Sequence, residues 1–358
     1  MTSIFVPRVL WFYCIVLIEK GTVMFRTLLR FVRIFFLEIN VRREVCQRIQ
    51  RDIHFAMITC GATYGDVRAA EDVANNKFNR IHRRNAGYVA AMRLLFEKER
   101  ITRNAYLAGA ERLILVELYF SALDDILHAV TASSQACDIR TLVHDSLFLR
   151  AIAQCLFIAV RGANTSNYRE HAFEAIFFKL RDHCIDDAHR SITLSDQSSP
   201  EIQQCRHTQK TCMLAELMLH MLYPCRTPRS SDIHVLAAFV DSLQMSADIA
   251  DLYDDVLTRN NKSVVYTQLR MHPDEYEVVW RHSRRCSWST VNPFALRRYA
   301  PSTYLALCSR HRRLGNEVVH GRNDPAYRLL RIASDVFFMG YPFLRNCIHL
   351  CSSRCVMS

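Results

Sequence analysis

The sequence predicts a mainly α-helical protein built as a multi-helix bundle, in one or two helical subdomains. Three observations carry that expectation. Only nine Gly and nine Pro occur in 358 residues, too few for turn-dense sandwiches, propellers or Gly-rich nucleotide loops. Half of the residues are hydrophobic and 23% are charged, so the chain can bury a core and is too apolar for wholesale disorder. Over long stretches the apolar residues recur every three or four positions, the mark of amphipathic helices. A mean hydropathy of −0.02 argues against a polytopic membrane protein.

Residues 1–23 read as an apolar extension. Val9 to Ile18 is an unbroken apolar run behind Arg8, too short to span a bilayer, and Glu19-Lys20-Gly21-Thr22-Val23 follows it in place of a small-residue cleavage site. Met24 is an alternative start. From Phe25 to Ile58 the periodicity is helical, with Arg26, Arg30 and Arg33 between Leu28, Leu29, Phe31, Val32, Phe35, Phe36 and Ile39. Such a helix is expected on the protein's own core, with anionic lipid as the alternative for its basic stripe.

Gly61 to Gly65 breaks the pattern, and the polar, basic stretch from Asn75 to Gly87 is expected to be an exposed loop. Helices follow over Tyr88 to Glu99, from an Asn104 cap to about Val130, over Ile139 to Val160, and over Tyr168 to Ala188. The Ser-, Gln- and His-rich stretch at 190–211 reads as a polar linker between a helical domain at 24–189 and another at 212–358. In the second domain, helices are expected over Cys212 to Tyr223 and Asp232 to Thr258, and again near Pro301 to Leu314 and Asp324 to Met339. A Cys-rich end closes the chain. Val264-Val265-Tyr266 and Val278-Val279-Trp280 allow at most a small hairpin near 264–280.

Lys and Arg outnumber Asp and Glu by 46 to 35, a net +11 carried almost wholly by arginine. Guanidinium groups suit phosphate and carboxylate partners, although GC-rich codon usage explains the same excess. Fourteen cysteines lack regular spacing, and Cys14, Cys155 and Cys308 sit inside apolar stretches. They read as buried thiols in a reducing, intracellular compartment, which makes the sequons at Asn164 and Asn261 incidental.

Several residue groups could carry chemistry. Arg80, Arg83 and Arg84, beside Phe78 and Tyr88, could grip phosphates while a ring stacks on a base, and Arg284 and Arg285 near Trp288 repeat that combination. Solvated loops are the plainer account of both. Cys347, His349, Cys351 and Cys355 are weak metal candidates. The three cysteines share a helical face while His349 points elsewhere, and Cys205, His207 and Cys212 are a second set that the spacing does not demand. No cofactor is expected. No Gly-x-Ser-x-Gly elbow, kinase set or Cys-x-x-Cys pair supports an enzyme.

Asp248, Asp251, Asp254 and Asp255, with Asp124-Asp125 far upstream, resemble the two Asp-rich helices that bind magnesium diphosphate in isoprenoid synthases. Ile126, Leu127 and His128 follow the upstream pair where that pattern has a third Asp, and no Arg-Arg pair lies close behind. As sequence, an acidic helix face is the plainer account.

Arg313-Leu314-Gly315-Asn316-Glu317-Val318-Val319-His320-Gly321 resembles the Arg-x(4 to 6)-His element of HEPN domains. That resemblance implies metal-independent RNA cleavage, with His320 handling a proton, Arg313 holding the phosphate and Asn316 beside them. Gly315 stands where active members carry Arg, and a helix end capped by Gly321 explains the same residues. The stretch from Arg43-Glu44-Val45-Cys46 through Phe120-Ser121-Ala122-Leu123 resembles, in style, the small late-gene and assembly factors of herpesviruses. This implies a viral accessory factor in the host nucleus or cytoplasm and assigns no residue. The expectation is a non-enzymatic protein that meets an acidic protein or nucleic acid through Arg-rich loops. The alternatives are a HEPN-type RNA module and a membrane-associated factor using residues 1–40.

Overall fold

The computed structural model describes residues 22–84, 86–96, 102–133, 138–162, 167–193, 200–223, 227–258, 263–285, 293–320 and 324–356. Every described element is a helix, in agreement with the expected fold class. In chain order these are α1 (Thr22–Thr59), α2 (Tyr64–Arg84), α3 (Ala86–Phe96), α4 (Arg103–Ser133), α5 (Ile139–Asp145), α6 (Leu147–Arg161) and α7 (Asn167–Thr193). After them come α8 (Pro200–Leu222), α9 (Ser230–Thr258), α10 (Val264–Arg270), α11 (Pro273–Arg285), α12 (Pro293–Tyr299), α13 (Pro301–Val319) and α14 (Pro325–Val356).

Local chemistry sets the boundaries. Pro200, Pro273, Pro293, Pro301 and Pro325 each open a helix, where the missing N–H costs nothing and the fixed φ is already helical. Thr63 Oγ1 accepts from the Asp66 N–H, and Asp66 Oδ2 accepts from the Thr63 N–H at 2.9 Å, a reciprocal cap on α2. Thr102, rather than Asn104, caps α4 by accepting from the Ala105 N–H. The expected helix from 139 to 160 is two helices bent by 62° at Ser146, whose hydroxyl accepts from the Leu149 N–H and restarts the helix as α6. Gly61, at φ 84°, ends the long α1 in the left-handed region that other residues avoid.

Three expectations are corrected. The basic loop at 75–87 is helical: α2 runs to Arg84 and α3 starts at Ala86. Val67, Ala70, Ala74 and Phe78 form its buried stripe, thin enough to be hidden among polar neighbours. No hairpin occurs near 264–280 among the described residues. There α10 buries Val265, Tyr266 and Leu269 behind a Ser263 cap, and α11 buries Val279, so packing overrides the β preference of the valines. Of the expected linker at 190–211, residues 190–193 belong to α7 and 200–211 to α8. The polar composition of that part of α8 has two sources: Cys205, Thr208 and Gln209 face solvent, and His207, Lys210 and Thr211 face a cavity.

Two apolar clusters fill the interior. The first draws on α1 to α8 and the start of α9, and the second on α3 and α9 to α14. Helix α9 joins them, packing against α8, α11, α13 and α14. It has the length and hydropathy of a membrane span, yet 72% of that apolar window is buried inside the protein. It is the central strut of the bundle.

Candidate functional site

Between α4, α7, α8 and α9 lies a cavity of about 480 Å³. Phe120, Leu123, Leu127, Leu180, Leu214 and Val240 make its apolar wall. That wall backs onto an aromatic cluster in which the Phe120 and Phe177 rings lie 5.5 Å apart and Tyr119 and Phe177 4.7 Å apart. The polar part is acidic. Asp124 enters from α4, while Asp248, Asp251 and Asp255 enter from α9, whose helical spacing sets them along one side. Lys210 and His207 from α8 and His128 from α4 are the basic groups present.

The upstream aspartate pair divides between two tasks. Asp125 faces away and pairs with Lys77, whose ammonium also donates to the Ser121 carbonyl and hydroxyl at 2.9 Å each. Asp124 is left on the cavity side, 3.4 Å from His128 Nε2. Lys210 is held above its usual range first by the Cys184 sulfur and then by the carboxylates of Asp124 and Asp187, against the opposing effect of burial. The cation therefore stays charged beside Asp124.

Asp248 has a different part. It is buried, and it accepts from Gln244 Nε2 at 2.7 Å and from the Val264 N–H at 2.8 Å. Burial raises its pKa. These bonds tie the start of α10 to α9 and fix the end of the cavity where Ser263 lies. Behind the wall, Asp241 accepts from Thr211 Oγ1 at 2.7 Å and lies 3.0 Å from His207 Nε2. Burial alone would raise the Asp241 carboxyl, but His207, Thr211 and Arg310 together hold it below the usual range.

Among the described residues no three His, Cys, Asp or Glu groups converge closely enough to form a metal cage. No family model, curated protein or solved structure matches the chain.

The site residues named from sequence fall elsewhere. Arg313 and Asn316 lie exposed on α13, and His320 is the exposed residue that ends it, while Gly321, the expected cap, lies outside the described residues. The three project from α13 at helical spacing and do not line the cavity. Gly315 has a packing reason: a β-carbon there would overlap the Arg331 guanidinium, which crosses α13 to donate to the Arg312 carbonyl at 3.1 Å. Arg80, Arg83 and Arg84 stand in the last turns of α2, not in a loop, and their side chains lie outside the described residues, as does that of Arg285. Arg284 is exposed on α11, its guanidinium 4.8 Å from the Trp280 ring. Cys347, His349, Cys351 and Cys355 belong to α14, but their side chains are outside the described part.

Cys46, Cys60, Cys155, Cys184, Cys205, Cys212 and Cys308 are free thiols. Burial pushes Cys46 and Cys155 up to about 12, as suits inert packing groups. The acidic groups of the cavity were visible in the sequence as Asp124-Asp125 and Asp248 to Asp255. Lys210 carries no signal within the polar stretch, and His207 stands out there only beside Cys205 and Cys212 as a second metal-candidate set.

Proposed function

We propose that the protein binds the diphosphate ester of an isoprenoid alcohol in this cavity, with a divalent cation between the diphosphate and the carboxylates of Asp124, Asp251 and Asp255. The carrying observation is that two separate aspartate-bearing helices, α4 and α9, meet across one cavity with an apolar wall.

The chemistry supports this reading by elimination. A bare phosphate would be repelled by the carboxylates on the rim, and a plain hydrocarbon would set apolar groups against them. A metal ion alone finds no closed cage. Magnesium usually takes one or two carboxylates, several waters and the substrate's own phosphates, and the hard oxygen donors present suit it. When bound, magnesium would neutralise the diphosphate and ease its departure from carbon. The chain's own groups do the rest: Lys210 meets the anion, and Phe120, Leu123 and Leu127 shelter the hydrocarbon from water. His128 in the third-acid position distinguishes this rim from the isoprenoid synthase pattern, leaving Asp124 as the α4 carboxylate on the cavity.

Titration with geranyl, farnesyl and geranylgeranyl thiodiphosphates, with magnesium and with EDTA, tests the reading. Saturable binding that requires magnesium is expected, weakened at least about tenfold in Asp255→Asn. No binding by any of the three with magnesium, or equal binding in EDTA, would overturn it.

A further inference from the structure

Helix α1 carries an apolar ridge that the described residues of the bundle do not cover. Phe25, Leu29, Val32 and Phe36 are all exposed, Phe25 by 53% and Phe36 by 59%. At 3.6 residues per turn the four fall within a sector of about 60°, along about 16 Å of helix. The opposite face is anchored, because Leu28, Phe31 and Ile34 pack on the second core cluster and Glu38 is buried. The ridge is therefore held in a fixed direction.

Arg26, Arg30 and Arg33 form an exposed stripe directly beside it, and no Asp or Glu occurs from Thr22 to Leu37. We propose that this ridge and its arginine stripe dock the protein on an anionic lipid surface, the phenyl and aliphatic groups entering the headgroup boundary and the guanidiniums meeting lipid phosphates. This inference stands apart from the cavity. The pairing of features selects the partner. A second copy would bring two arginine stripes together with no acidic group in the ridge to offset them. Nucleic acid would use the arginines and leave Leu29 and Val32 without a role. A charged bilayer surface uses both halves, as in other amphipathic helices with basic flanks.

Co-sedimentation of the full chain with vesicles tests the proposal. The wild type is expected to bind mixed phosphatidylcholine–phosphatidylserine vesicles and to bind pure phosphatidylcholine weakly. Both Phe25→Ser/Phe36→Ser and Arg26→Glu/Arg33→Glu should lower the affinity about tenfold or more. Circular dichroism and the unfolding midpoint should not change, because the altered side chains are exposed. Three results would overturn it: no binding of mixed vesicles by the wild type, full binding by both variants, or a dimer in size-exclusion chromatography that the same substitutions turn into monomer.

Discussion

Arg42 on α1 grips Glu117 on α4 with both ends of its guanidinium fork, Nη1 to Oε2 at 2.8 Å and Nη2 to Oε1 at 2.6 Å. The pair belongs to a buried network. Arg42 Nε donates to Glu38 Oε1 at 3.0 Å, Arg93 Nε donates to Glu38 Oε2 at 3.1 Å, and the Arg93 guanidinium lies 3.5 Å from the Tyr106 ring centre. Two carboxylates thus meet two guanidiniums in the dry junction of α1, α3 and α4. Removing one partner strands a charge out of reach of water. Glu117→Ala is expected to lower unfolding free energy by about 3–5 kcal/mol, read from urea denaturation.

The two neighbouring aspartates on α4 should behave differently. Asp124 faces the cavity and Asp125 pairs with Lys77 outside it. Asp124→Asn should weaken magnesium-dependent thiodiphosphate binding by about tenfold or more, while Asp125→Asn leaves it largely unchanged. Calorimetric titration of the two variants side by side makes the comparison.

Acid should loosen the junction of α9, α13 and α14. His311 Nδ1 lies 2.9 Å from Ser242 Oγ, and His311 Nε2 lies 2.8 Å from Asp335 Oδ1. Arg331 Nε donates to Asp335 Oδ2 at 3.2 Å. Partial burial alone would raise the Asp335 carboxyl, but His311 and Arg331 hold it below its ordinary value. A carboxyl depressed in the folded state stabilises the protein above its unfolded pKa, about 3.9, and loses that contribution as pH falls through the folded value. Asp335→Asn should therefore flatten the loss of urea midpoint below about pH 4 and lower the midpoint at neutral pH.

Glu275 on α11 caps a helix to which it does not belong. Its carboxylate accepts from the Ser302 N–H at 2.6 Å and the Thr303 N–H at 3.0 Å, at the start of α13, where Ala300 offers no side-chain cap. Burial would raise this carboxyl, and the donors at Thr303 and Ser302 outweigh it and lower it. Glu275→Ala should cost about 1–2 kcal/mol by chemical denaturation, and Glu275→Gln less, since an amide oxygen still accepts while the charge facing the helix dipole is gone.

Much of the bundle was legible because periodic apolar residues and N-terminal prolines report on local physics. Helix α1 is one example, and the starts of α13 at Pro301 and of α14 beside Asp324 are others, whereas the proline starts of α8 and α11 were masked by a polar stretch and a strand-like one. Helix α2 was obscured because its described apolar core residues are four well-spaced ones, Val67, Ala70, Ala74 and Phe78, in a polar sequence. The valines of α10 and α11 suggested strands because β-branched residues fit either state until burial decides. The site was half visible: both aspartate clusters stood out, yet nothing local says that α4 and α9 face each other.

Composition and periodicity by themselves determined that this chain buries apolar helical stripes in a mainly α bundle, since each stripe needs only its own neighbours along the chain. The tertiary structure decided which polar groups share a space. It sent Asp125 to Lys77 and Asp124 to the cavity, placed Lys210 opposite, and left Phe25 and Phe36 uncovered. Those outcomes depend on contacts between residues far apart in sequence, and such contacts arise only when whole helices pack.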